Sequence, residues 1–237
     1  MDATVPQAGE PRDTLSEFRS AVADDLLLFA LLHDREPDNA LLTELKSMNF
    51  PSCLGLRLRS KPGLDAGKQM QQALSELTLP VEDGILDGLA ADYADIYLTH
   101  GYRAAPNESV WLDEDNLERQ RPMFEIRQWY RRHDLAAADW RRRPDDHLVP
   151  QLQFTAYLVR HVSGVEGLKE AVDFLDRHLL RWVLDFSSRV AGRCDSRFFA
   201  GLALLTGAYL DELRDVLADF LEAPRPQPQP QPQPDAA

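Results

Sequence analysis

Asp146 and His147 are the neighbouring residues in this 237-residue chain whose types most directly invite chemistry. A carboxylate can orient an imidazole and raise its basicity, which is how a general base is made. Neighbours on a helix do not face one another, however, and a base needs a reacting partner. The sequence has no G-x-S-x-G elbow, H-E-x-x-H pair, Walker loop or G-x-G-x-x-G turn, so no nucleophile, zinc site or phosphate cradle accompanies the pair. His33, His100, His133, His161 and His178 show no metal-ligand spacing and read as surface or satisfied packing residues. Cys53 and Cys194 lie far apart and outside any C-x-x-C arrangement, which points to neither a disulfide framework nor a thiolate metal site. The expectation is a protein that is not an enzyme and binds no metal.

A second group of residues suits binding better than catalysis. Tyr93, Ile96 and Tyr97 share a helix face at i, i+3, i+4 spacing, which Leu89 extends by a turn, and Gly101 stops the pattern. Beyond it, Pro106, Val110, Trp111 and Leu112 mix with Asn107, Glu108 and Ser109 in a segment too apolar for an ordinary surface loop. Two accounts remain open: a loop that tucks its aromatic into the core, or a binding surface.

The elements that must position these groups are helices. Leu15, Phe18, Val22, Leu26, Phe29 and Leu32 recur every three or four residues and predict a first helix from Thr14. Asp38 or Asn39 caps a short second one carrying Leu41, Leu42 and Leu45, and residues 49–63 read as a loop. Further helices are predicted at about 64–77, 81–99, 120–133, 147–162, 167–191 and 196–221. Asp145 or Asp146 is the expected N-cap before Leu148, and Pro150 fits if that helix starts near His147. Arg127, Arg131 and Arg132 complement a helix C-terminus, while Arg141, Arg142 and Arg143 offer an alternative anion or nucleotide contact. No alternating strand pattern appears, so the fold class is all-α, a single globular bundle-like domain.

That domain is expected over residues 14–222, between a flexible N-terminus at 1–13 and a disordered Pro/Gln tail at 223–237. With 44% hydrophobic residues the chain can bury a substantial core, and a net charge of −13 argues against a nucleic-acid partner. The N-terminal residues lack an export signal, and no apolar run is long enough to span a bilayer, so a cytoplasmic, non-membrane protein is expected.

Three pieces together resemble the TorD/DmsD/NarJ family of redox-enzyme maturation chaperones. They are Tyr93, Ile96 and Tyr97 followed by Pro106 to Asp113; the run Pro144-Asp145-Asp146-His147-Leu148; and Phe174-Leu175 with His178-Leu179-Leu180 and Trp182. The resemblance covers roughly residues 15–220. It implies an all-helical, TorD-like cytoplasmic chaperone for an apo-molybdoenzyme of the dimethyl sulfoxide reductase type. Such a chaperone binds the client's twin-arginine leader, assists molybdenum cofactor insertion together with the insertion machinery, and delays export until maturation. By the same resemblance, leader binding falls to Tyr93, Ile96, Tyr97, Pro106, Asn107, Glu108, Ser109, Val110, Trp111, Asp146 and His147. Tyr93, Tyr97, Val110 and Trp111 would supply apolar contact, and Glu108, Asp113 and Asp146 the acidic relief for a basic leader. Asn107 and Gln151 stand where members often carry an aromatic and an acidic residue. No cofactor is implied as permanently held, molybdopterin included; some members bind guanine nucleotide, which keeps a GTP-dependent helper enzyme as an alternative. The Pro/Gln tail keeps a helical adaptor or oligomerisation role as another, and a monomer or a domain-swapped dimer is expected.

Overall fold

The first helix forms because an apolar stripe recurs at helical spacing, and the remaining helices wrap that stripe and its counterpart near the C-terminus. The computed structural model describes residues 14–138, 141 and 143–225. The expected flexible N-terminus, nearly all of the Pro/Gln tail, and Arg142 of the arginine triplet lie outside the described residues.

In chain order the helices are α1 (Thr14–Asp34), α2 (Asn39–Ser47), α3 (Lys61–Glu76), α4 (Asp83–Tyr93), α5 (Glu108–Leu112), α6 (Arg121–Arg132), α7 (Leu148–His161), α8 (Gly164–Arg177), α9 (Val183–Ala191) and α10 (Arg197–Leu221). The architecture is all-α, and the described residues contain no strand beyond one isolated bridge between Asn107 and His147. α10 forms the centre, packing on α3, α8 and α9, while α1 lies along α7. Phe29 of α1 and Tyr209 of α10 join the two halves with ring centroids 5.0 Å apart. Gly201 lets α10 approach α3 closely, since a Cβ there would come within 3.0 Å of the Met70 backbone.

Side-chain caps set several boundaries. Asp38 accepts from the Leu41 amide at 2.7 Å, Ser60 from Gly63 at 3.1 Å and Ser196 from Phe199 at 3.3 Å, each satisfying an amide that the first turn cannot. The loop from 49 to 60 has its own anchors: buried Asp25 accepts from the amides of Gly55 and Leu56 and from the Tyr209 hydroxyl.

Three expectations are corrected. The helix expected over 167–191 is two, α8 and α9, separated at His178 (φ −125°, ψ −87°) and a 3-10 turn, Leu179–Arg181. The helix expected over 81–99 changes type after Tyr93, where Ala94–Leu98 is a π-helical turn. The segment after Pro106, expected to be irregular, contains the short α5.

Candidate functional site

The π-helical turn is the first element of the site. Its i→i+5 pattern, closed by the Thr99 amide on the Ala94 carbonyl at 2.8 Å, inserts a residue into the helix and turns Tyr97 back beside Tyr93. Their ring centroids lie 4.8 Å apart. Gly101 follows because a Cβ there would collide with the Asp95 carboxylate.

Tyr97 is fixed from behind. The Thr206 hydroxyl donates to the Leu202 carbonyl, so it accepts from Nε2–H of His33 at 2.8 Å. Nδ1 of His33 is then an acceptor, and the Tyr97 hydroxyl donates to it. Burial pushes the His33 pKa down to about 3 and that of Tyr97 well up, so both groups are neutral throughout the physiological range.

The second element is the bridge. The Glu108 amide donates to the Asp146 carbonyl at 3.0 Å, and the Leu148 amide to the Pro106 carbonyl at 2.8 Å. This makes Asn107 and His147 a directly opposed, non-hydrogen-bonded antiparallel pair, whose side chains leave the same face. Asp146 strengthens the crossing by accepting from the Ser109 amide at 2.8 Å, capping α5 in place of Asn107, which makes no cap bond. Gln151 donates to the Asp146 carbonyl at 2.8 Å. Arg127 grips Asp145 with two nitrogens, at 2.6 and 2.9 Å, and the Tyr130 hydroxyl donates to the Asp145 carbonyl.

Together these elements enclose a cleft of about 660 Å³ whose walls include Asp34, Tyr93, Tyr97, Leu98, His100, Asn107, Glu118, Arg143 and His147. His147 is the N-cap of α7: its Nδ1 accepts from the Val149 amide at 3.1 Å, which places the ring proton on Nε2. Burial, and then the Arg143 charge, hold its pKa well below the ordinary value. It is therefore a neutral hydrogen-bond donor. Asn107 beside it is buried, and its Nδ2 has no partner among the described residues. Acidity enters from Asp34, paired with Arg143, and from Glu118, 3.5 Å from His100. The Tyr93 hydroxyl donates to the Asp34 carbonyl at 2.7 Å.

The residues singled out in the sequence therefore separate into three groups. Tyr93, Tyr97, Asn107 and His147 line the cleft. Ile96, Pro106, Glu108, Ser109 and Asp146 are buried and shape it from within. Glu108 lies 3.0 Å from Nδ1 of His178, and burial raises the pKa of both Glu108 and Asp146. Neither carboxylate reaches the surface, and Asp113 does not line the cleft; Asp34 and Glu118 are the acids that do. Val110 and Trp111 stand outside the cleft. Trp111 donates to the Ala105 carbonyl at 2.9 Å, packs edge-on to Phe186 and lies under the Arg189 guanidinium, so this aromatic tucks into the core edge. The N-cap of α7 is His147 rather than Asp145 or Asp146, whose carboxylates are turned to Arg127 and Ser109.

Asp34, Glu118 and Arg143 carried no local signal, because they converge only through tertiary packing. Arg143 was visible in the sequence only as a member of a basic run. The described residues contain no cluster of His, Cys, Asp and Glu suited to a metal ion, and no helix among them is long and apolar enough to cross a membrane.

Residues 63–188, more than half of the chain and both sides of the bridge, match the family model of the nitrate reductase delta subunit. The chain belongs to this TorD/NarJ family of redox-enzyme maturation proteins. It is 28% identical over 205 residues to the chaperone protein TorD of Psychrobacter sp., covering 82% of this chain and 90% of that protein. The chaperone protein TorD of Shewanella piezotolerans is 24% identical over 212 residues, covering 86% and 94%. That of Vibrio cholerae is 27% identical over 163 residues, covering 65% and 73%. These relatives are chaperones by name and not enzymes, in agreement with the expectation drawn from the sequence.

Proposed function

We propose that the protein is a chaperone for an apo-molybdoenzyme of the dimethyl sulfoxide reductase type. In this reading it binds the client's twin-arginine leader in the cleft, assists cofactor insertion and delays export until maturation. The observation that carries the reading is the Asn107–His147 bridge, which brings the two motif stretches to one wall of a cleft whose other walls are aromatic and acidic. A leader offers arginines, a peptide backbone and an apolar stretch. Asp34 and Glu118 match the first, and Tyr93, Tyr97 and Leu98, the last 63% exposed at the rim, match the third. Nε2–H of His147 and Nδ2–H of Asn107 are neutral donors suited to backbone carbonyls. A cleft of this size holds a few side chains, enough for a motif and too little for a folded partner.

Calorimetry with a synthetic leader carrying adjacent arginines and an apolar segment tests the reading. The wild-type protein binds it, and His147→Asn, which keeps a helix-capping side chain but removes the imidazole donor, weakens binding about tenfold, as loss of one hydrogen bond in a buried site predicts. Equal affinity for a leader with both arginines replaced by glutamine would remove the leader from this site.

A further inference from the structure

Among the described residues, Arg143 is the one lysine or arginine of the cleft wall, where it opposes a basic ligand, and its position explains why it is there. It lies immediately before the Pro144–Leu148 stretch and reaches across the cleft to Asp34, the last residue of α1. Asp34 is a site for a cation on two counts. It is a carboxylate, and it stands at a helix C-terminus, where unpaired carbonyls carry partial negative charge. The Tyr93 hydroxyl donates to the Asp34 main-chain carbonyl at 2.7 Å, which fixes the backbone that carries the carboxylate. A carboxylate held in this way suits a guanidinium, whose planar fork and weak hydration fit it better than an ammonium does. The side chains of Arg143 and Asp34 are 32% and 40% exposed, which puts the pair at the cleft's mouth, where exchange with an outside cation costs little.

We propose that Arg143 is a resident mimic of the ligand: in the free protein its guanidinium occupies, at Asp34, the subsite that an incoming arginine side chain takes. Binding then proceeds by exchange of one guanidinium for another. In the free protein Arg143 screens the acidic subsite from weaker cations, and once displaced it stays tethered to the wall that carries Asn107 and His147. This inference rests on the leader-binding reading, since it names the residue of that site that receives arginine.

The probe is Arg-Arg amide, with Lys-Lys amide of the same charge as its control, titrated against the full-length protein by NMR chemical-shift perturbation. Arg143→Ala removes the competitor and binds Arg-Arg amide about two- to fivefold more tightly than wild type, the range set by the modest worth of an exposed ion pair. Asp34→Asn abolishes saturable binding, and the double variant behaves as Asp34→Asn. Lys-Lys amide gains less from Arg143→Ala than Arg-Arg amide does. Should Arg143→Ala unfold, Arg143→Gln, which keeps the side-chain stem, gives the same order. Unchanged or weaker binding by the arginine variants overturns the proposal. So does an equal gain for both dipeptides, which would reduce the effect to long-range charge. Leader binding by wild type without the Arg143→Ala gain sinks this inference alone; the gain without leader binding sinks the leader reading alone.

Discussion

The Tyr97 hydroxyl does its work on the side of the ring away from the cleft. It donates to His33, which in turn donates to Thr206, so three side chains from the π-helical turn, α1 and α10 are joined through a fully buried imidazole. Removing that hydroxyl leaves His33 Nδ1 buried without a partner, and a buried acceptor stripped of its bond forfeits about 1–3 kcal/mol. Tyr97→Phe is therefore expected to lower stability by that amount in urea unfolding. The ring stays in the cleft wall, and affinity for a leader peptide is retained. A variant that keeps its stability but loses the peptide would move the Tyr97 hydroxyl from scaffold to contact surface. The sequence identified the tyrosine and its helix face, yet His33 was legible only as a packing residue. Which hydroxyl it meets depends on α1 and α10 lying side by side, and no local pattern records that.

Two elements meet at the bridge, and Asp146 decides how firmly. Its carboxylate caps the five-residue α5 from another part of the chain, and so short a helix has little to hold it but its cap and its packing. Asp146→Ala leaves the Ser109 amide unpaired and is expected to cost about 1–3 kcal/mol by urea unfolding. Asp146→Asn keeps an oxygen for that amide and removes a carboxyl whose ionisation burial opposes, so it costs less than half as much. Equal losses would show that charge, not capping, is what Asp146 provides. At this scale the sequence was informative where an element is amphipathic over several turns, as in α1 and α10, whose apolar spacing names the buried face directly. It was silent where an element depends on a partner far along the chain. The Asn107–His147 bridge joins residues with no strand pattern of their own. The break at His178 lies within an apolar periodicity that continues on both sides and by itself predicts one helix. The extra residue of the π-helical turn leaves composition and spacing nearly unchanged, so the spacing puts Tyr93 and Tyr97 on one face without showing the turn that sets them side by side.

At the scale of the whole molecule, buried neutral histidines make stability depend on pH. His33 in the folded protein resists protonation until about pH 3, whereas the same residue in the unfolded chain takes up a proton below about 6.5. Between those values the unfolded state binds more protons, so stability rises with pH. The contribution is fully present above pH 6.5 and is lost as the pH falls towards 3. His147 acts in the same direction, its pKa being held well below the ordinary value. Asp25, Glu108 and Asp146 act oppositely: burial raises their folded-state pKa values, so they favour the folded state as acid protonates them. A variant comparison separates the two effects. Between pH 7 and pH 5 the neutral His33 alone costs about 2 kcal/mol of stability, or about 4–8 °C in Tm for a chain of this size. His33→Gln, which stays uncharged and retains hydrogen-bonding groups towards Tyr97 and Thr206, starts less stable at pH 7 but loses that much less on acidification. Scanning calorimetry of both proteins at half-unit pH steps reads the difference directly. Parallel Tm curves would mean that His33 is protonated in the folded state, and the neutral Tyr97–His33–Thr206 chain behind the cleft would then be wrong.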